Sequence, residues 1–176
     1  VRWMAPILSF TAQEIWEAMP GERPHQFVFA VTEAGLPETN GRAQVNWQLI
    51  QSAKESVNQA IEAARNDGLV KGSLSAEVAL YADGAVFDAL TALGDEIRFV
   101  TITSEVDLYL LSEAPDGAVT DSVCPQLAVV VKATESEKCE RCWHHRPDVG
   151  SLSAHPTLCT RCVDNVEGTG EERTFA

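Results

Sequence analysis

Four cysteines near the end of the sequence constrain this chain more than any other feature. They form two Cys-x-x-Cys pairs, Cys139 with Cys142 and Cys159 with Cys162, and 16 residues separate the inner two. Two such pairs with roughly 15 to 20 residues between them are typical of a structural zinc site. Each pair can place two sulfurs on one side of a tight turn, so two turns complete a tetrahedron of thiolates around one Zn²⁺.

Such a metal site would hold the shape of the chain and perform no chemistry. Four cysteine ligands close the coordination shell and leave no position for a reactive water molecule. Disulfides or four unrelated thiols are the alternatives, but nothing in the sequence indicates an oxidising compartment. A rubredoxin-like iron site would favour small residues after each second cysteine, where this sequence has Trp143 and Val163. Zinc is therefore the favoured metal.

Net charge separates the tail from the rest of the chain. The 176 residues carry a formal charge of −13, which disfavours non-specific adhesion to nucleic acids or acidic membranes. Residues 138–176 contain five basic and six acidic residues, whereas residues 1–137 contain eight basic and twenty acidic ones. The arginines of the tail could contact a polyanion or could merely neutralise the thiolates. Charge alone leaves both interpretations open.

Hydrophobic periodicity predicts an α+β fold for the middle of the chain. Apolar residues recur at helical spacing over 45–64 and predict a long helix that ends at Asn66-Asp67-Gly68. Alternating or continuous apolar runs predict about three strands in a small sheet packed by helices. The strands are expected at 74–81, 106–110 and 127–131, and shorter helices at 84–93 and 95–102.

The first 41 residues predict the end of a helical bundle followed by a linker. Thr11 and Glu14 have the spacing of a capping box, and the helix is expected to end near Met19. Its apolar face requires partner helices, and the chain lacks an initiator methionine, so we expect it to be a fragment. The predicted domains are residues 1–41, an α+β domain at 42–136, and a C-terminal zinc-ribbon-like module at 137–176.

Motifs of catalysis and membrane insertion are absent from the sequence. It contains no phosphate-binding P-loop, no Gly-x-Ser-x-Gly elbow and no His-Glu-x-x-His helix. No apolar run approaches the roughly 18 to 20 residues that a membrane-spanning helix needs. We therefore predict no catalytic residue and no membrane partner.

The residues beside the cysteine pairs favour contact with RNA. Trp143 and three basic or ring-bearing residues follow the first pair directly, and Arg161 lies inside the second. Unpaired bases stack on aromatic rings and guanidinium planes, and arginines also reach phosphates. For Trp143, packing over the zinc sulfurs as a small core is the alternative that we favour. The candidate RNA-facing residues are Lys138, Arg141, Trp143, His144, Arg146 and Arg161.

Segments in order along the whole chain carry a family resemblance. The chain opens with Val1-Arg-Trp-Met-Ala-Pro-Ile-Leu-Ser-Phe-Thr-Ala-Gln-Glu-Ile-Trp, and Leu93-Gly-Asp-Glu-Ile-Arg-Phe-Val lies in its middle. Its end contains Lys138-Cys-Glu-Arg-Cys-Trp-His-His and Leu158-Cys-Thr-Arg-Cys-Val-Asp-Asn-Val. Together these segments resemble the C-terminal part of bacterial isoleucyl-tRNA synthetases. The resembling regions are the end of the anticodon-binding helical domain, a connecting α+β region and a C-terminal zinc domain.

This resemblance implies a division of labour within a longer enzyme. The family activates isoleucine with ATP, transfers it to tRNA and edits mischarged valine. Its His-x-Gly-His and Lys-Met-Ser-Lys signatures are absent here, so ATP is expected only in a missing catalytic domain. The fragment is expected to grip the anticodon stem-loop of isoleucine tRNA, with the N-terminal domains of the same chain as its other partner. We expect a cytoplasmic monomer.

Two other functions remain open from the sequence. A related zinc finger ends the formamidopyrimidine-DNA glycosylases, which would make this tail a DNA-binding repair module. Alternatively, zinc could staple a protein-interaction module whose sheet binds a partner. The strong acidity of residues 1–137 departs from what an RNA-binding fragment would be expected to show.

Overall fold

The computed structural model describes residues 1–22, 25–28 and 45–175. The chain divides into two compact units, Val1–Arg42 and Ala43–Ala176. Most of the predicted linker lies outside the described residues. The proposed domain borders after residues 41 and 136 stay predictions.

The first unit contains one helix, α1 (Ser9–Ala18), within its described residues. The expected capping box is wrong, because backbone hydrogen bonding already begins upstream and places Thr11 inside the helix. The Leu8 amide donates to the Met4 carbonyl at 2.7 Å, and no side chain caps α1. Ala12 and Trp16 are buried, and the Trp16 indole N–H donates to the His25 carbonyl at 2.9 Å.

Large apolar side chains remain exposed on this first unit. Phe10 is 87% exposed and Ile7 is 83% exposed, and the described residues of the unit do not cover them. Isolated exposed apolar residues are common, but several on one short segment indicate a contact surface. This agrees with the expectation that partner helices cover α1, which stays a prediction.

The second unit is organised by the long helix α2 (Trp47–Asn66), which confirms the predicted helix. The Asn46 side chain accepts a hydrogen bond from the Leu49 amide at 3.3 Å and caps its first turn. One face of α2 is buried against the sheet, because apolar residues recur there every three to four positions. The buried face includes Ile50, Ala53, Val57, Ala60, Ile61 and Ala64.

A mixed sheet of four strands forms the other half of the core. Its order is β2-β1-β4-β3, with β1 parallel to β2 and the other pairs antiparallel. The strands are β1 (Ala76–Ala82), β2 (Glu105–Leu110), β3 (Val119–Thr120) and β4 (Leu127–Ala133). The sheet thus has one strand more than expected, because the two-residue β3 is too short to produce a periodic pattern. The α+β fold class is confirmed.

Short helices complete the second unit. The parallel pair β1 and β2 requires a crossover, which α3 (Gly84–Thr91) and α4 (Ile97–Thr101) provide. β1 begins two residues later than predicted, since Ser73–Ser75 forms a turn of 3-10 helix that includes Leu74. The last helix is α5 (Thr160–Glu167), in the cysteine-rich tail. None of the helices in the described part of the chain is long and apolar enough to span a membrane.

Candidate zinc centre and its surroundings

The four tail cysteines converge on one point. Their sulfurs all lie within 4.8 Å of one another, and three of the four residues are buried. A zinc tetrahedron with Zn–S bonds of about 2.3 Å has sulfurs roughly 3.8 Å apart. The sulfurs of Cys142 and Cys159 are 3.8 Å apart. The donor set and its spacing therefore fit one four-coordinate Zn²⁺ with no open position.

Backbone hydrogen bonds shape the first cysteine pair into a knuckle. The Cys139 amide donates to the His144 carbonyl and the Trp143 amide donates to the Cys139 carbonyl, both at 2.9 Å. Trp143 has a positive φ of 67°, a left-handed conformation that few bulky residues adopt. This conformation reverses the chain directly after Cys142. The knuckle therefore fixes the backbone from which the indole ring extends.

The second cysteine pair begins a helix. Cys159 occupies the position before α5, and Cys162 lies in its first turn. The Cys159 amide donates to the Cys139 sulfur at 3.4 Å, which ties the two knuckles together. Asp148 accepts hydrogen bonds from the backbone amide of Thr160, at 2.8 Å, and from its hydroxyl group. Asp148 thereby caps α5 and orients the second pair.

The surroundings affect the thiols unequally. Burial opposes the thiolate of Cys139, but amides of the two knuckles donate to its sulfur and lower its pKa to about 6. Burial raises the pKa of Cys159 to about 12. Zinc binds thiolates, so metal binding at this cluster must release protons. The amide donors around Cys139 favour it as the first sulfur to be ionised.

Most arginines of the tail already have anionic partners. The Arg141 guanidinium lies 3.6 Å from the Cys162 sulfur, and Arg161 forms an ion pair with Glu171 at 2.8 Å. Although burial opposes it, contact with Cys142 and Glu171 raises the pKa of Arg161. Arg146 pairs with Glu105 and lies 3.7 Å from Asp148. These contacts support the interpretation that the arginines balance the thiolates and nearby carboxylates.

Phe99 on α4 is the centre of the arginine cluster. The guanidinium carbons of Arg98, Arg161 and Arg173 lie 4.8, 5.0 and 3.9 Å from the centre of its ring. His144 meets the same ring edge-on at 5.8 Å. We call Phe99 and the surrounding Arg98, Arg146, Arg161 and Arg173 the arginine face. It packs the tail against α4 and β2.

His144 points into the arginine face. Both ring nitrogens are buried, and neither has a hydrogen-bond partner within the described residues. Burial, reinforced by Arg161 and Arg98, lowers the pKa of His144 to about 4. His144 and Arg98 line a small cavity of about 90 Å³ together with residues of both knuckles. The ring is therefore neutral at pH 7 and turned away from solvent.

Trp143 and Lys138 are exposed on another part of the tail. Trp143 is 59% exposed, so the expectation that it packs over the sulfurs as the core of the module is wrong. The reason is the short, tight knuckle, in which the cysteines themselves form the buried cluster with Val149 and Leu158 packed against it. The Lys138 ammonium lies 5.0 Å from the centre of the indole ring, a cation–π contact.

Ser104 is a structural residue that the sequence did not reveal. It is fully buried between α4 and β2. Its hydroxyl donates to the Leu74 carbonyl and accepts from the His145 amide at 2.7 Å. A single serine thus joins the entry of β1 to the zinc knuckle. No local pattern marks such a residue, since its partners are 30 and 41 positions away.

Known proteins resemble both the tail and the whole chain. Residues 136–165 match the family described as "Zinc finger found in FPG and IleRS". Over its entire length the chain is 49% identical to the isoleucine–tRNA ligases of Shewanella piezotolerans and Shewanella sediminis. It is 48% identical to that of Shewanella baltica. The resemblance to isoleucyl-tRNA synthetases is confirmed.

The similarity to these ligases covers all of this chain but only part of theirs. The chain spans 19% of the length of each of these relatives, and the matching part is C-terminal. The zinc-finger match and the four-cysteine cluster together confirm the expected cofactor, one structural Zn²⁺. The same finger type occurs in the FPG proteins, so the finger alone does not separate the two groups. The 49% identity along the whole of this chain, by contrast, is to isoleucine–tRNA ligases.

Proposed function

We propose that this chain binds the anticodon region of isoleucine tRNA as the C-terminal part of an isoleucine–tRNA ligase. The observation that carries the proposal is the 49% identity along the entire chain, which extends well beyond the finger shared with FPG. In this role Cys139, Cys142, Cys159 and Cys162 each ligate the zinc. The metal holds the tail in a shape that can meet a folded RNA.

The candidate RNA-facing residues differ in how much of them an RNA could reach. Lys138, Arg141 and Trp143 are exposed, which supports contacts with bases and phosphates. Arg146 and Arg161 are only 23% and 19% exposed in their side chains, and both already pair with carboxylates. His144 is turned inward. We therefore place the main contact at the first knuckle and assign a supporting role to the other three.

The other activities of the ligase belong to the rest of the longer protein. The region that aligns with this chain makes up 19% of each relative, so the relatives are about five times as long as this chain. We propose that isoleucine activation, ATP binding and editing lie in that remaining part. Binding of the anticodon stem-loop by this chain then positions the distant acceptor end of the tRNA at the active site. A monomer acting in the cytoplasm completes the proposal.

A binding comparison tests the proposed function. The zinc-loaded chain would be titrated against an isoleucine tRNA transcript, its isolated anticodon stem-loop, a second tRNA and duplex DNA of equal length, at one stated salt concentration. We expect the isoleucine tRNA and its stem-loop to bind more tightly than the second tRNA and the DNA. Preference for duplex DNA would instead support the repair-type finger, and failure to bind any nucleic acid would overturn the proposal.

A further inference from the structure

A groove runs between the zinc knuckle and the segment that leads into β1. It has a volume of about 450 Å³ and is open to solvent. Pockets that hold small ligands usually measure roughly 300–1,000 Å³, so one nucleotide is of suitable size. We call it the lysine–tryptophan groove. It is lined by Lys71, Gly72, Leu74 and Ser75 on one wall and by Lys138, Trp143 and His145 on the other.

The first wall is a rigid loop held by one hydroxyl group. Ser75 Oγ accepts hydrogen bonds from the amides of Lys71 and Gly72, both at 3.1 Å, and donates to the Gly72 carbonyl at 2.8 Å. One donated and two accepted bonds use the full capacity of a hydroxyl. The loop is therefore preorganised, and the Lys71 side chain extends from a defined backbone.

The second wall belongs to the zinc knuckle. Trp143 offers an exposed ring that extends from a left-handed backbone, with the Lys138 ammonium 5.0 Å from the ring centre. His145 Nδ1 lies 2.7 Å from the Ser136 carbonyl, which can only accept, so Nδ1 carries the proton. In the neutral ring Nε2 is then an acceptor for a hydroxyl or a base N–H. This wall combines a stacking ring, a cation and an acceptor.

Ser104 fixes the distance between the two walls. Its hydroxyl bonds to the Leu74 carbonyl on the first wall and to the His145 amide on the second. Because Ser104 is fully buried, these bonds are protected from water. The groove is thus defined by the fold: zinc shapes its second wall, and the buried Ser104 bonds that wall to the first.

The charge of the groove is opposite to that of the chain. The chain has a net charge of −13 and only four lysines, yet two of them line this groove. Neither Lys71 nor Lys138 forms an ion pair with a carboxylate in the described part of the chain. Unpaired cations beside an exposed aromatic ring match single-stranded RNA, in which bases stack and phosphates follow a cationic track.

We propose that the lysine–tryptophan groove binds one unpaired nucleotide of an RNA loop, with its base on Trp143 and its flanking phosphates between Lys71 and Lys138. This inference rests on the proposed tRNA-binding function. It adds the Lys71–Ser75 loop to the RNA-binding surface. This loop lies outside the zinc finger, and none of its residues is among the RNA-facing candidates predicted from the sequence. Recognition is therefore shared between the tail and the body of the second unit.

Gly72 allows a direct test of occupancy. Its backbone is extended, a conformation open to any residue, and a Cβ atom there would meet no heavy atom within 4 Å. Gly72→Glu would place a negative charge in the groove without a clash, and Gly72→Gln is its neutral match. With the zinc-loaded chain and the tRNA anticodon stem-loop, we expect Gly72→Glu to weaken binding about tenfold or more, and Gly72→Gln clearly less.

Lysine variants supply an independent readout. Lys71→Gln should lower the slope of log affinity against log salt concentration by about one. Lys54→Gln removes the same charge on α2, outside the groove, and should leave the slope unchanged. Zinc content and the circular dichroism spectrum of each variant establish that it is folded.

The possible outcomes separate the two proposals. In one outcome the wild type binds tRNA, and Gly72→Glu and Lys71→Gln change that binding no more than Lys54→Gln does. This outcome overturns the proposal for the groove but leaves the proposed tRNA binding intact. Equal loss with Gly72→Glu and Gly72→Gln, together with an unchanged slope for Lys71→Gln, also overturns it. A wild-type chain that binds no RNA overturns the proposed function and the groove with it.

Discussion

The arginine face and the lysine–tryptophan groove both lie where the zinc module meets the body of the second unit, but their basic residues differ in whether they are paired. In the arginine face, guanidinium groups surround Phe99 and pair with Glu105, Asp148 and Glu171. In the groove, the lysines have no carboxylate partner among the described residues and the tryptophan is 59% exposed. Basic residues on one face hold the module to the body, and those on the other remain available.

The comparison teaches that a count of basic residues says little about where an anion binds. The tail has four arginines and one lysine, so composition directs attention to the arginines. Yet an arginine that already pairs with a carboxylate and an aromatic ring must lose those contacts before it can reach a phosphate. Lys71 and Lys138 are exposed and have no carboxylate partner among the described residues. They can therefore contact an incoming polyanion without first losing an ion pair.

Removal of zinc should have the largest effect on both faces. Structural zinc contributes roughly 10–16 kcal/mol to the folding of finger peptides, and the buried cluster of this tail consists largely of its cysteines. We expect chelation, or Cys159→Ser, to unfold residues 138–175 while α2 and the sheet persist. Amide hydrogen exchange measures both regions separately.

A buried cysteine outside the cluster provides the control for that experiment. Cys124 is 3% exposed and lies in the core of the second unit. Cys124→Ala should keep full zinc content and a protected tail. Simultaneous loss of protection in the tail and in α2 after chelation would show that the module has no separate stability.

Replacement of Trp143 should test the groove without disturbing the fold. Base stacking contributes about 1–3 kcal/mol per base, so Trp143→Ala should weaken tRNA binding roughly 5- to 150-fold. Stability should change little because the ring is mostly exposed. Trp47→Ala, at an exposed tryptophan outside the groove, is the matched control, and equal affinities of the two variants would argue against stacking.

Loss of the Ser104 hydroxyl should loosen the connection between the walls. Ser104→Ala leaves the Leu74 carbonyl and the His145 amide without this partner. A buried unsatisfied polar group costs about 1–3 kcal/mol, which urea denaturation would measure. Ser122→Ala, at an exposed serine, should have no measurable effect. A Ser104→Ala protein as stable as the wild type would mean that the bridge is dispensable.

Neutralisation of single basic residues should have the smallest effects on stability and binding, and these effects should differ between the arginine face and the groove. Arg146→Gln removes the partner of Glu105 and should lower stability by about 1 kcal/mol or less, since the pair is partly exposed. It should leave the salt dependence of tRNA binding almost unchanged. Lys138→Gln should do the reverse, with unchanged stability and a salt slope smaller by about one. The opposite pattern would invert the roles that we assign to the faces.

The extent to which sequence predicted this protein depends on the range of the interactions involved. The spacing of Cys139, Cys142, Cys159 and Cys162 predicted one four-sulfur cluster because each knuckle is a local turn. Periodicity predicted α2 and β1 for the same reason, since one buried face leaves a regular pattern along a single element. The sequence did not predict the two-residue β3 or the early start of α1, because neither feature produces such a pattern.

The sequence by itself determined the metal, the α+β class and the resemblance to isoleucyl-tRNA synthetases. Only the tertiary structure decided which charged and aromatic side chains are exposed. Trp143 was expected in a small core and lies outside it, and Lys71 stands across a groove from Lys138, 67 positions away along the chain. Exposure and ion pairing arise from packing between distant segments, and spacing along a chain carries no record of them.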